Sequence, residues 1–441
     1  MLAGMMDREA LREYAGGALW VLPGISGLVA LAVGWAMSQI QVSADSPLAF
    51  QGTADDARSL LVTISGTVVT TIALVLGLTV VALQLSSTQF SPRLLRNFLR
   101  DRSNQVVLSI FVATFAYSAA GLYTVGVSSG ARVEEFPRLA VSGAVLLLFV
   151  SLAAVVFFAD HLAHSIQIDA ITKRAEQGTL AVVRATARQV EVDAPDPPEW
   201  AVAVPALRSG YVQAVNLGQL LSLADRFGVT VRLHPHVGEH VVAGTTLAWA
   251  WQRTASDQPT DVRELGQVLN RAVRVGFERT LEHDIGFGIR QLSDVACKAL
   301  SPAINDPYTA VQAIDHLKVI FCEIAARPLG DTVSRDSTGR GVVIIPERSL
   351  EELLSITCGL IRRFGAKEPT VLVALLRMLA ACAEFVGGDD ARRLQAIDEQ
   401  AALILTQGEA EIAQPVDLAH VQAAADPMRQ RIRSRLTNRS A

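Results

Sequence analysis

The chain has 441 residues, a formal net charge of −4 and 50% hydrophobic residues, with a mean hydropathy of +0.33. This length allows two or more domains. The net charge is close to neutral and no segment is both basic and rich in aromatic residues, which argues against a nucleic-acid-binding protein. The hydrophobic excess lies before about residue 160, which predicts a membrane region followed by a globular region. The four cysteines all lie in the second region without a C-x-x-C pair, a pattern typical of reduced thiols in the cytosol.

Four apolar segments are long enough to cross a bilayer as helices. They are predicted at residues 18–40, 59–85, 105–127 and 138–158. Residues 1–17 are polar and are expected to form a cytosolic segment. Residues 18–160 are therefore predicted to form a four-helix transmembrane domain in the bacterial cytoplasmic membrane, with the lipid bilayer as its first partner.

The distribution of arginines predicts the orientation of the four spans. Only the connection after the second span is strongly basic, through Arg93, Arg96, Arg100 and Arg102. Because basic loops stay on the cytoplasmic side, both the N-terminus and the C-terminus are expected in the cytosol. This orientation alone explains the arginines, but they could also bind anionic headgroups or line a cytosolic mouth.

The second span contains no charged residue but carries many hydroxyl groups. At helical spacing, one stripe of this span collects Thr63, Thr67, Thr70, Leu74, Gly77, Val81, Gln84 and Thr88. Such a stripe suits helix packing, because small residues allow close approach and hydroxyls bond across helices. It equally suits the lining of a water-containing pathway in a homo-oligomer, with Leu74 and Val81 as apolar constrictions. The absence of charge at mid-depth in all four spans argues against an ion-coupled pump.

A helix is expected to leave the membrane after the fourth span and to continue over residues 161–192. Asp160, His161 and His164 lie within about one turn at its start. They could form a proton- or metal-sensitive gate, or they could simply face water at the headgroups. The proline-rich residues 193–199 then form a linker.

Residues 199–252 form a β-rich segment with short alternating runs separated by glycines. The pattern between Gly210 and Trp251 resembles the barrel-sandwich hybrid of biotinyl and lipoyl carrier domains. No lysine lies between these residues, so the resemblance implies the β-module without a swinging-arm cofactor. The segment contains three histidines, His234, His236 and His240. They either form a metal site or are exposed residues of strands and turns.

Helical periodicity returns over residues 261–436, so the whole globular region is predicted to be α+β. Its first part reads as a helical hairpin, with Asp306 as N-cap and Pro307 at the first helical position. The polar residues 330–341 are predicted as a loop. Six polar residues lie at or near this hairpin: Arg279, Glu282, His283, Asp284, Asn305 and Asp306. The two helices and their short turn could bring these residues together in a cleft that binds a ligand or a partner. Alternatively, they could cap the helix ends.

Two long stretches carry a family resemblance. They are VALQLSSTQFSPRLLRNFLRD at residues 81–101 and ERTLEHDIGFGIRQLSDVACKALSPAINDPYTAVQAIDHL at residues 278–317. Together they resemble a bacterial family of predicted membrane proteins with a domain of unknown function (number 2254). The resemblance covers residues 15–405 and implies a membrane protein without specifying an activity.

No phosphate loop, nucleophile elbow, zinc-protease motif or dinucleotide fingerprint occurs, so neither catalysis nor a cofactor is predicted. The leading hypothesis is a homo-oligomeric channel lined by the second span and regulated by its cytosolic domain. The alternative is a non-conducting scaffold or sensor, in which the spans anchor a module that binds a ligand or a protein. The sequence specifies neither the permeant species nor any small-molecule ligand.

Overall fold

The computed structural model describes most of the chain, with gaps. The described residues are 18–40, 42–43, 46–89, 102–126, 136–165, 167–186, 194–252, 262–327, 330–335, 341–387 and 390–437. The chain divides into two compact units, Met1–Ile171 and Thr172–Ala441. The predicted segment 1–17 and three of the four loop arginines (Arg93, Arg96 and Arg100) lie outside the described residues.

The first unit contains four long apolar helices, which confirms the four predicted spans. They are α1 (Val21–Ser38), α2 (Ala54–Gln89), α3 (Arg102–Gly126) and α4 (Arg138–Ser165). α2 begins five residues earlier than predicted, because Thr53 and Asp56 form reciprocal hydrogen bonds of 2.9 and 3.2 Å that cap its first turn. At 36 residues, α2 is about 54 Å long and exceeds the ~30 Å hydrocarbon core.

Small residues bring α1 and α3 into close contact. A Cβ atom at Gly34 would lie 3.0 Å from the backbone oxygen of Tyr117, and one at Gly27 would lie 2.9 Å from Val112. The core of the unit is completed by Leu61 and Phe111, both fully buried. Helix association in lipid depends on such close backbone approach, because apolar burial gives little driving force there.

Arg138, the first residue of α4, joins that helix to the connection between α1 and α2. Its Nη1 donates hydrogen bonds to the carbonyl oxygens of Phe50 at 2.7 Å and Gly52 at 3.2 Å. Its guanidinium also lies 4.5 Å from the ring centroid of Phe136. A half-buried cation with these partners fixes the loop against α4.

The second unit mixes helices and strands, as predicted at the level of fold class. Its helices are α5 (Ile168–Thr186, entering from the first unit), α6 (Leu217–Phe227), α7 (Val262–Ala272), α8 (Ile285–Ala299), α9 (Pro307–Ala325), α10 (Leu350–Phe364), α11 (Pro369–Phe385), α12 (Ala391–Glu411) and α13 (Pro415–Thr437). Its strands are β1 (Val202–Pro205), β2 (Gly210–Val215), β3 (Thr230–Leu233), β4 (His240–Val241), β5 (Thr246–Trp251), β6 (Val273–Gly276), β7 (Thr332–Arg335) and β8 (Val342–Ile345).

The strands form a five-stranded sheet in the order β1-β5-β3-β8-β7 and a three-stranded sheet in the order β4-β2-β6. Both sheets take strands from beyond residues 199–252. The segment 330–341, predicted as a loop, begins instead with β7, because β8 pairs in parallel with β3 and β7 extends the same sheet. Between β2 and β3 the chain forms α6, which Asn216 caps and Gly228 ends in a left-handed conformation.

The helical hairpin of α8 and α9 has the predicted cap. Asp306 precedes Pro307, and its Oδ1 accepts a hydrogen bond of 3.1 Å from the backbone N–H of Thr309. The two helices pack with α11 around fully buried side chains, among them Leu292, Phe321 and Leu375. The hairpin is therefore part of the core of the second unit.

Candidate functional site

The polar stripe of α2 lies on the face of the helix that the first unit leaves uncovered. Seven of its eight residues are exposed, namely Thr63, Thr67, Thr70, Leu74, Gly77, Val81 and Gln84. The opposite face is buried through Leu61, Ile64, Val68 and Val75. The side chain of the eighth residue, Thr88, lies outside the described part of the chain. The seven described residues do not pack between helices of one protomer.

Two of the stripe hydroxyls bond to the backbone of α2 itself. Thr63 donates to the carbonyl oxygen of Ser59 at 2.7 Å, and Thr70 donates to that of Gly66 at 3.0 Å. Because the hydroxyl is hydrogen-bonded to its own helix, burying threonine in lipid costs little free energy. Gly66 and Gly77 also have open space where a Cβ atom would point. The stripe is thus a shallow, small-residue surface that can face a second copy of the chain.

The predicted interfacial residues lie near helix ends. Arg102 is the first residue of α3 and is exposed. At the end of α4, His164 Nδ1 lies 2.8 Å from the carbonyl oxygen of Asp160, and both side chains are exposed. His161 stacks on Phe157 with ring centroids 5.7 Å apart. These contacts lie within one helix, and none of them connects the three residues to another element.

The six polar residues of the hairpin are not brought to one cleft. Arg279 and Asp284 form a two-pronged ion pair with nitrogen–oxygen distances of 2.8 and 2.9 Å. Glu282 pairs with Arg274 instead, and His283 is exposed. The remaining two, Asn305 and Asp306, follow the far end of α8, which at 15 residues is about 22 Å long.

Asp284 also caps α8, because its Oδ1 accepts a hydrogen bond of 2.9 Å from the backbone N–H of Phe287. The residue is 3% exposed, and Gly238, at a φ of +87°, leaves the space that its carboxylate occupies. Arg279 further lies 5.5 Å from the Phe287 ring. This geometry is that of a buried helix cap, the second of the two interpretations considered for these residues.

The three histidines of the β-rich segment point to separate environments. His234 is exposed, while the backbone N–H of His236 donates to Glu239 at 3.1 Å. The ring of His240 packs edge-on against Tyr211 with centroids 5.0 Å apart. Across the described residues, no three His, Cys, Asp or Glu side chains come close enough to hold a metal ion.

All four cysteines are free thiols. Burial raises the pKa of Cys297 and of Cys358 to about 12 and also raises the pKa of Cys322 and of Cys382. Thiols with raised pKa values stay protonated near neutral pH and are poor nucleophiles. The cysteines therefore act as core residues.

One buried ionic cluster was not predicted. His316 Nδ1 of α9 lies 2.6 Å from a Glu176 oxygen on α5, and Lys173 Nζ lies 2.8 Å from the other oxygen. Burial alone would raise the pKa of Glu176, but hydrogen bonds from Lys173 and His316 together hold it below its usual value. The contact spans 140 positions, so sequence spacing could not reveal it. It attaches α5 to the helical core.

Glu347, between β8 and α10, is a second carboxylate that was not predicted. Burial raises its pKa to about 7, the charges of Asp284 and Asp331 add to this effect, and Arg348 opposes it. The folded protein therefore holds this proton more tightly than the unfolded chain, in which the pKa is near 4.5. Its contribution to stability is fully present below about pH 4.5 and is lost as the pH rises through about 7.

Replacing Glu347 with Gln should remove this pH dependence. We expect the variant to be more stable than the wild type by about 3 kcal/mol at pH 8, with the difference shrinking to about 1 kcal/mol at pH 5. Thermal unfolding of both full-length proteins across this range measures the effect. A difference between the two proteins that stays constant across this pH range would contradict the raised pKa of Glu347.

Four apolar helices followed by a mixed helical and sheet region define a polytopic membrane protein. The chain belongs to the family described as Predicted membrane protein (DUF2254), which matches residues 17–381. Uncharacterized proteins of Mycobacterium bovis and Mycobacterium tuberculosis are each 44% identical to it over 431 residues, covering 95% of this chain and 81% of each relative. No solved structure matches the chain with significance.

Proposed function

We propose that the protein forms a homo-oligomeric channel of the cytoplasmic membrane, in which the stripe of α2 faces a central pathway. The hydroxyl and amide groups of this stripe, on an uncovered face of α2, carry the proposal. The other described helices of the first unit cover the opposite face of α2 and leave the seven described stripe residues open. A surface with hydroxyls, one glycine and one amide suits contact with water or a second copy better than contact with lipid alone.

Leu74 and Val81 are the apolar members of the stripe, with exposures of 61% and 50%. They lie seven positions apart, about two helical turns or 10 Å along the axis. In a ring of copies each would form an apolar constriction, and apolar constrictions gate by excluding water. Gln84 lies one turn beyond Val81, towards the end of the span that the arginines place in the cytosol.

The second unit supplies the regulatory part of the proposal. Only two residues separate the end of α4 at Ser165 from the start of α5 at Ile168. α5 is attached to the second unit through the Glu176–His316 pair and through Thr179, which occupies the space above Gly288 of α8. In the proposed mechanism, a conformational change in the helical core acts on α4 through this short connection.

Leu74→Ser is the variant that tests the channel. Widening and wetting an apolar constriction should raise the current through reconstituted protein in a planar bilayer severalfold. Leu76→Ser is the matched control, because Leu76 is also exposed, at 44%, but lies about 160° around the helix from Leu74. Equal currents from the two variants, or none from folded oligomer in either, would contradict the proposal and favour a non-conducting scaffold or sensor.

A further inference from the structure

A groove opens on the first unit between α1, α3 and α4. It has a volume of about 820 Å³, which is within the range of sites that bind small molecules. Its lining is almost entirely apolar and includes Ile25, Val29, Val33, Met37, Leu146 and Leu147. On α1 the lining runs from Ile25 to Met37, about 18 Å along the axis. An elongated apolar groove within the membrane fits a hydrocarbon chain.

Three polar side chains interrupt this apolar lining, those of Ser26, Ser142 and Tyr117. Tyr117 is the largest of them. The residue is 5% exposed, and its hydroxyl lies over Gly143 of α4, where no side chain could be accommodated. No residue that the structure describes forms a hydrogen bond with this hydroxyl. Because an unsatisfied hydroxyl away from water costs free energy, a ligand with a hydrogen-bond acceptor at this point would be stabilised.

Arg138 provides a positive charge at the surface end of α4, next to the lining residue Leu139. It lies five residues before Gly143 on α4, about 7.5 Å nearer the membrane surface. Only Nη1 forms its described hydrogen bonds, to Phe50 and Gly52, and a guanidinium has five donors. From the surface inwards, Arg138 is followed by the Tyr117 hydroxyl at the level of Gly143, and apolar lining residues extend deeper, to Leu147 on α4 and Ile25 on α1. This arrangement suits the phosphate, ester carbonyl and acyl chain of a glycerophospholipid.

We propose that this groove binds one glycerophospholipid molecule from the leaflet on the side of the α1–α2 connection. Its phosphate pairs with Arg138, an ester carbonyl accepts a hydrogen bond from Tyr117, and one acyl chain lies along α1 and α4. The groove and the α2 stripe share no residue, so a test that contradicts the lipid site does not contradict the channel, and the reverse also holds.

Native mass spectrometry of the full-length protein with phosphatidylglycerol tests the proposal. We expect retention of one lipid per protomer, and a photoactivatable acyl chain should cross-link mainly to α1 and α4. Tyr117→Phe should weaken retention about fivefold through loss of one hydrogen bond. Diacylglycerol with the same chains, which lacks the phosphate, should bind about tenfold more weakly.

A second test fills the groove with a larger side chain at an exposed position, so that the core is not altered. Val33 and Leu31 lie on the same helix with exposures of 43% and 47%, but only Val33 lines the groove. Val33→Trp should abolish specific retention, whereas Leu31→Trp should bind as the wild type does. Equal retention by Val33→Trp and the wild type, or cross-links spread evenly over all exposed helix faces, would overturn the proposal.

Discussion

Asp284→Ala is expected to destabilise the second unit by about 3 kcal/mol, because breaking a buried ion pair leaves its partner unpaired. Asp284 is 3% exposed and serves two groups at once, the Arg279 guanidinium and the backbone N–H of Phe287. Loss of the helix cap contributes about 1 kcal/mol of this total. For a domain of this size the melting temperature should fall by roughly 6–12 °C, measured by thermal unfolding of the full-length protein in detergent.

Glu282→Ala is the matched control for this prediction. Glu282 lies two residues away and also forms an ion pair, with Arg274, but both side chains are about half exposed at 52% and 40%. Exposed pairs contribute about 0–1 kcal/mol, so this variant should unfold close to the wild type. Similar melting temperatures for Glu282→Ala and Asp284→Ala would show that burial of the Asp284 pair is not what stabilises α8.

Gly34→Leu is expected to separate α1 from α3. Even a Cβ atom at Gly34 would lie 3.0 Å from the backbone oxygen of Tyr117 and 3.0 Å from the Cβ of Ala120. A leucine cannot be accommodated without moving one helix, which typically costs about 1–3 kcal/mol. The melting temperature of the first unit should fall, and protease cleavage between α1 and α2 should become faster.

Gly24→Leu provides the comparison on the same helix. Gly24 is exposed, and the nearest atom to its Cβ position belongs to Trp20 at 3.9 Å. Since leucine favours a helix more than glycine does, this variant should be as stable as the wild type or slightly more stable. Equal losses in both variants would indicate that glycine flexibility, and not close packing, is what α1 requires.

The sequence predicts the membrane spans well because length and apolarity are local properties. It also predicts the hairpin cap, because Asp306 and Pro307 are adjacent and each has a strong positional preference. It does not predict which face of α2 packs inwards. Hydroxyls and small residues suit contact with a neighbouring helix of the same chain as well as contact with water or a second copy, so the polar stripe alone does not tell which face is covered.

Sequence patterns also do not predict which distant strands and side chains pair in the second unit. β8 is four residues long and pairs with β3 more than 100 positions earlier, so its partner cannot be read from local alternation. The six hairpin residues could be listed from their chemistry, but the length of α8 separates Asp284 from Asp306. On α5, three of the buried residues, Thr172, Glu176 and Thr179, are polar, so hydrophobicity does not mark their inward position in the sequence.

The central claim, that the α2 stripe faces water, is tested most directly by single-cysteine labelling in native membranes. Cysteines replace Thr63, Thr67 and Thr70 on the stripe, and Val62, Val69 and Val80 beside it, in a chain without its four native cysteines. All six positions are exposed in the protomer, so exposure alone does not distinguish them. The proposed pathway predicts rapid labelling by a small water-soluble thiol reagent on the stripe and protection beside it. Uniform protection of all six positions would contradict it.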